Sequence, residues 1–187
     1  MRKIEDIMLP TPEEIRKYCK ERGYKFCPEI TDELPNYAKW IDMFIRERAK
    51  RDLPKSQLEG TRNGNAEDYL EMAGLLKIRG DEVAEISYTH PKDSRVEVRN
   101  GKVISYGGTP FFPINYFEQG GDAVDYHSHP DGDTNLSASD VEKFATTAMC
   151  MEMLKDMGGK GKLFFAIHQP NTGKSVWYAS QELNREK

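Results

Sequence analysis

His127 and His129 flank a single serine, and Pro130 follows at once. No other stretch constrains the local fold as tightly. On a strand, side chains two apart share a face, so imidazoles at this spacing approach one point from the same side. Pro130 cannot continue a hydrogen-bonded ladder and closes the strand. The loop "DGDTNL" leads to Ser137, where a helix begins, with Asp140 in its first turn. The run therefore predicts strand, short loop and helix. Two imidazoles and one carboxylate are offered from rigid elements on both sides of that loop.

This donor set suits Zn²⁺. Three protein ligands leave the fourth tetrahedral position to water, which is the catalytic arrangement. Zinc lowers the pKa of such a water to about 7. The thiolates that a closed structural site normally uses are missing from the cluster. "SASD" can also be read as a cap, with Ser137 accepting a backbone N–H and Asp140 favouring the helix N-terminus. The conjunction favours the metal. At ordinary residue frequencies, a chain of this length shows His, His, Pro, Ser and Asp at these offsets by chance on the order of once in 10⁵.

The rest of the chain reads as a mixed α/β fold behind a helical extension. "TPEEIRKYCKERG" has Thr11 as N-cap, Pro12 at the first helical position and Gly23 as the stop. "LPNYAKWIDMFIRERAKRD" sets Tyr37, Trp40, Ile41, Phe44 and Ile45 on one stripe, as a packing face. "DLPKSQLEGTRNGN" is rich in turn formers and reads as a linker, with the domain boundary near residues 60–65. The expected division is a helical extension over 1–62 and a catalytic domain over 63–187. A third helix is expected over "AEDYLEMAGLLKIRG", ending at Gly80.

From Asp81 the period changes to two. "EVAEISYTH", "FFPINYF" and "DAVDYHSH" read as strands, and "RVEVRNGKVISY" as a hairpin around Asn100-Gly101. Ser137 to about Met157 reads as a helix burying Phe144, Ala148, Met151 and Leu154. "KLFFAIH" and "KSVWYAS" close the fold as a strand pair.

Composition narrows the function classes. The chain has 187 residues, a net charge of −4 and no run of five Lys or Arg, so a strong nucleic-acid footprint is absent. No window approaches the 18 apolar residues of a membrane span. Three cysteines without CxxC spacing fit reduced thiols in a cytoplasmic setting.

His127-Ser128-His129-Pro130, six residues, Ser137, two residues and Asp140 together resemble the H-[S/T]-H-P-x6-S-x-x-D signature of the JAMM (MPN+, JAB-domain) zinc metalloproteases. "HPDGD" is also similar to the RadC-type branch of that superfamily. The resemblance covers about residues 65–184. It implies a mixed sheet flanked by helices, of JAMM/MPN-like and cytidine-deaminase-like architecture. It implies zinc held by His127, His129 and Asp140, with Ser137 stabilising the oxyanion of the reaction. It implies hydrolysis of a peptide or isopeptide bond in a protein or peptide substrate, often at the tail of a ubiquitin-like modifier. A glutamate on an early strand is the family's general acid/base. Glu82, at the start of a strand after Gly80, is the expected match, with Glu85 as the alternative. Glu97 and Glu118 are less suitably placed. "VAEISY" differs from the family by carrying a second glutamate where small or apolar residues are usual. Two other functions remain compatible with the sequence: a non-catalytic MPN-type scaffold, and a RadC-like role linked to nucleic acid.

Overall fold

The computed structural model describes residues 11–61, 63–99, 102–106, 114–130 and 134–183. Its elements in chain order are α1 (Pro12–Glu21), β1 (Phe26–Ile30), α2 (Ala38–Asp52), α3 (Lys55–Glu59), β2 (Ala73–Arg79), β3 (Glu82–Thr89), β4 (Arg95–Arg99), β5 (Lys102–Tyr106), β6 (Asp122–Ser128), α4 (Ala138–Asp156), β7 (Leu163–Gln169) and β8 (Lys174–Glu182). Six strands form one sheet in the order β1-β8-β7-β6-β2-β3, and β4 and β5 pair separately. Among the described residues, only β6 and β7 run parallel within the large sheet. They are joined through α4, as a parallel pair requires a crossover.

Both faces of the sheet are covered. On one, α1 and α4 bury Ile15, Cys19, Phe144 and Leu154 against Leu75, Phe165 and Ile167. On the other, α2 lays Ile41 and Ile45 over Leu76, Val124, Phe164 and Ala166. The continuous apolar run "LFFAI" of β7 follows from this, because a strand buried on both sides needs no polar alternation. The stripe on α2 is realised in part. Ile41 and Ile45 are fully buried, whereas Trp40 is half exposed and stacks on Phe44 at 5.7 Å.

Several expectations are corrected. Residues 1–62 are not a purely helical extension, since Phe26–Ile30 pairs with β8 and both α1 and α2 contribute to the cores. Pro28 lies in β1, an edge strand, where a missing backbone donor is tolerated. The turn-rich stretch after Leu53 contains α3, which buries Gln57. The expected third helix is instead a 3-10 turn, Ala66–Tyr69, followed by β2. "FFPINYF" contains a 3-10 turn over Ile114–Phe117, with 111–113 outside the described residues. The Asn100-Gly101 turn also lies outside them, but Arg99 pairs with Lys102 as that hairpin demands.

Two glycines permit close approaches. A Cβ at Gly74 would lie 2.4 Å from the Tyr126 ring, which crosses over β2 at that point. A Cβ at Gly161 would lie 2.0 Å from the Gly121 carbonyl oxygen, where the loops preceding β6 and β7 cross. Among the described residues, no helix is long and apolar enough to cross a membrane.

Candidate metal centre

The centre is built where β6 ends. Ser128 is fully buried and tied twice to Met72, the residue before β2: its N–H donates to the Met72 carbonyl at 2.9 Å, and its Oγ accepts from the Met72 N–H at 3.0 Å. On the other side, the His129 N–H donates to the His168 carbonyl of β7 at 3.0 Å. The backbone carrying both histidines is thus held by both neighbouring strands.

The helix brings the carboxylate. Ser137 is the N-cap of α4, and its Oγ accepts from the Asp140 N–H at 3.2 Å. Asp140 Oδ2 accepts in return from the Ser137 N–H at 2.8 Å and from its hydroxyl at 2.7 Å. This is the reciprocal cap that "SASD" suggests. It fixes the Asp140 carboxylate with Oδ1 turned toward the strand.

His127 Nε2 lies 3.2 Å from Asp140 Oδ1, His129 Nε2 lies 3.6 Å from Asp140 Oδ2, and the two Nε2 atoms are 3.0 Å apart. A tetrahedral cation with bonds of about 2.0–2.1 Å sets its donor atoms about 3.3 Å apart. The Nε2–Nε2 and His127 Nε2–Oδ1 separations fall within a few tenths of an ångström of that figure, and the ligand atoms of the three residues lie within 4.8 Å of one another. The group His127, His129 and Asp140 is therefore shaped to hold a metal ion. Two imidazoles and a carboxylate, with no thiolate, fit Zn²⁺. Burial opposes ionisation of Asp140, yet the two facing imidazoles hold its carboxyl well below the usual carboxylate range. The His127 ring packs edge-on against Phe165 at 6.3 Å.

Comparison with family models, with curated proteins and with solved structures returns no match for this chain.

The expected general base is not at this centre. Glu82 is exposed, opens β3 and stands opposite Arg79, at the far end of β2 from Ala73. Six residues of strand, about 20 Å at the usual rise, separate that end from the histidines. Glu85 stands opposite Leu76, and its carboxylate accepts from Arg48 Nη1 at 2.7 Å. Glu118 precedes β6, at the end of that strand away from His127.

A different glutamate is at the right end. Ala73 stands opposite His127 in the antiparallel β2–β6 ladder. The Ser128-to-Met72 hydrogen bonds continue that register. One further step sets Glu71 opposite His129. Directly opposed residues share a face of the sheet, and so do residues two apart. Glu71, half-buried, thus stands on the face that carries both imidazoles. The backbone around it is anchored: Gln57 Nε2 donates to the Leu70 carbonyl at 2.8 Å on one side, and Met72 is bound to Ser128 on the other. Reading 71–79 with a period of two instead of 3.6 would have exposed this residue.

Proposed function

We propose that this protein is a zinc-dependent hydrolase of JAMM/MPN+ type that cuts a peptide or isopeptide bond. The observation that carries this reading is the convergence of His127 Nε2, His129 Nε2 and Asp140 with the spacing of a tetrahedral site. A mixed sheet covered by helices, with the donors at a strand end and a helix start, fits JAMM/MPN architecture. When bound, the ion supplies Lewis-acid polarisation and an activated water.

The chain's own residues supply the rest. Glu71 is the general acid/base: its carboxylate takes the proton from the attacking water and returns it to the leaving nitrogen. Met72, Ala73, Gly74, Leu75 and Leu76 follow it, the small and apolar run that the family places after its glutamate. Ser137, exposed at the helix start, turns its hydroxyl from Asp140 toward the developing oxyanion. Among the described residues β3 is an edge strand of the sheet and reaches the same end through Thr89, where an extended tail of a protein substrate can add as a strand.

The test is hydrolysis of linear and isopeptide-linked ubiquitin-like conjugates by purified protein of measured metal content. Cleavage abolished by chelation and restored by zinc is expected. A metal-loaded protein that cleaves neither linkage overturns the proposal.

A further inference from the structure

Beneath the metal centre lies a buried ion pair that none of the steps above uses. Lys143 Nζ is 2.6 Å from Asp125 Oδ2, with the side chains 16% and 4% exposed. The ammonium also stands 5.7 Å over the Phe165 ring. The second Asp125 oxygen, Oδ1, is buried and has no hydrogen-bond partner among the described residues.

The placement of the pair matters more than its existence. Asp125 precedes His127 by two residues on β6, so the two share a face. Lys143 follows Asp140 by three residues on α4, so those two share a helix face. The same strand and helix are therefore bridged twice. One bridge joins Asp140 to the histidines, and the other joins Lys143 to Asp125 one step deeper. Between and below them the contacts are apolar, with Phe144 against Phe165 at 4.7 Å. Apolar burial is non-directional and tolerates sliding. A buried ion pair is satisfied in one geometry only, and its best-attested use is to specify register.

We infer that Lys143 and Asp125 are positioning residues, a clamp that sets α4 against β6 so that Asp140 meets His127 and His129 at metal-binding distance. This rests on the reading of those three residues as a metal centre. Constellations of this kind tolerate only about 0.5 Å of error in their supporting groups. A shift of α4 by a single residue's rise of about 1.5 Å would exceed that.

The experiment compares the parent with Lys143→Met, Asp125→Asn and Lys143→Arg, measuring Zn²⁺ affinity by competition with a chromophoric chelator. Thermal unfolding identifies variants that fold. The clamp predicts that Lys143→Met and Asp125→Asn each weaken zinc binding by about 10- to 100-fold, as loss of an outer-shell partner does, while Lys143→Arg stays near the parent. Through-space charge alone predicts opposite effects. Removing the cation would tighten binding and removing the anion would loosen it, and that outcome overturns the inference. So do affinities unchanged in both variants. If the single variants do not fold, Asp125→Leu combined with Lys143→Met removes both charges and leaves no orphan. Weakened zinc binding there supports the clamp, and parent-like binding overturns it. If the parent itself binds no zinc, the metal-centre reading fails, and crystal structures of the metal-free proteins decide the clamp separately. Asp140 displaced by more than about 1 Å from His127 in Lys143→Met sustains it, and an unmoved contact overturns it.

Discussion

Ala73 of β2 stands directly opposite His127 of β6, and that pairing is what carries a glutamate to the histidines. Glu71→Gln is expected to lower kcat/KM by about 10²- to 10⁴-fold, the range of a lost general acid/base. Zinc content and melting temperature should stay near the parent's. Glu82→Gln, made at the far end of the sheet, should leave kcat/KM within about twofold, since a side chain about 20 Å away touches nothing that reacts. Steady-state kinetics on a fluorogenic conjugate, with metal analysis of the same samples, check both.

Asp140 Oδ2 closes the helix cap, and both carboxylate oxygens face the histidines. Ser137→Ala removes the hydroxyl half of that cap and leaves the backbone N–H at position 137 donating to Asp140 Oδ2. It should cost about 1 kcal/mol of stability, or about 2–4 °C in Tm for a chain of this size, with metal still bound. Asp140→Ala should lose the carboxylate half of the cap together with the metal, while Ser137 Oγ keeps the backbone N–H at position 140. Calorimetry with and without zinc separates the cases: added zinc should raise the Tm of the serine variant and leave that of the aspartate variant unmoved.

His168 predicts how the metal-free protein responds to acid. It is fully buried on β7, its Nδ1 lies 3.1 Å from Ser175 Oγ, and burial together with Arg46 pushes its pKa down to about 4. The folded state thus keeps the ring neutral while the unfolded chain protonates it near 6.5. Between those values the unfolded state holds the extra proton, so stability is full above about pH 6.5 and falls as pH drops toward 4. The loss over that window is about 3 kcal/mol. Urea unfolding at a series of pH values, with chelator present, should show this slope in the parent and a shallower one in His168→Gln.

Gly74→Ala should be strongly destabilising, by about 2–3 kcal/mol or more, because overpacking in a sheet interior has no cheap relief. The obstructing group is the Tyr126 ring. Gly74→Ala combined with Tyr126→Val should therefore recover stability relative to the sum of the two single changes. Denaturant midpoints of the four proteins complete the cycle.

What was legible in the sequence was whatever is local. The two histidines, the proline stop, the Ser137 cap and Asp140 lie within one strand–loop–helix run, where spacing alone fixes which side chains share a face. α1 and the β4–β5 hairpin were legible for the same reason. Non-local pairing hid the rest. "EMAGLLKIR" carries apolar residues compatible with either period, and only its pairing on both sides, with β3 and β6, makes it a strand. β1 is five residues long, contains a proline, and finds its partner at the opposite end of the chain. The Asp125–Lys143 contact joins a strand to a helix across a loop, a distance that no periodicity reports.

The crossing of the Gly121 and Gly161 backbones has a wider meaning for how such a molecule can be altered. At Gly161, before β7, main chain meets main chain and leaves no room for a methyl group. Any side chain added at Gly161 should therefore force the two loops apart and shift the starts of β6 and β7 together.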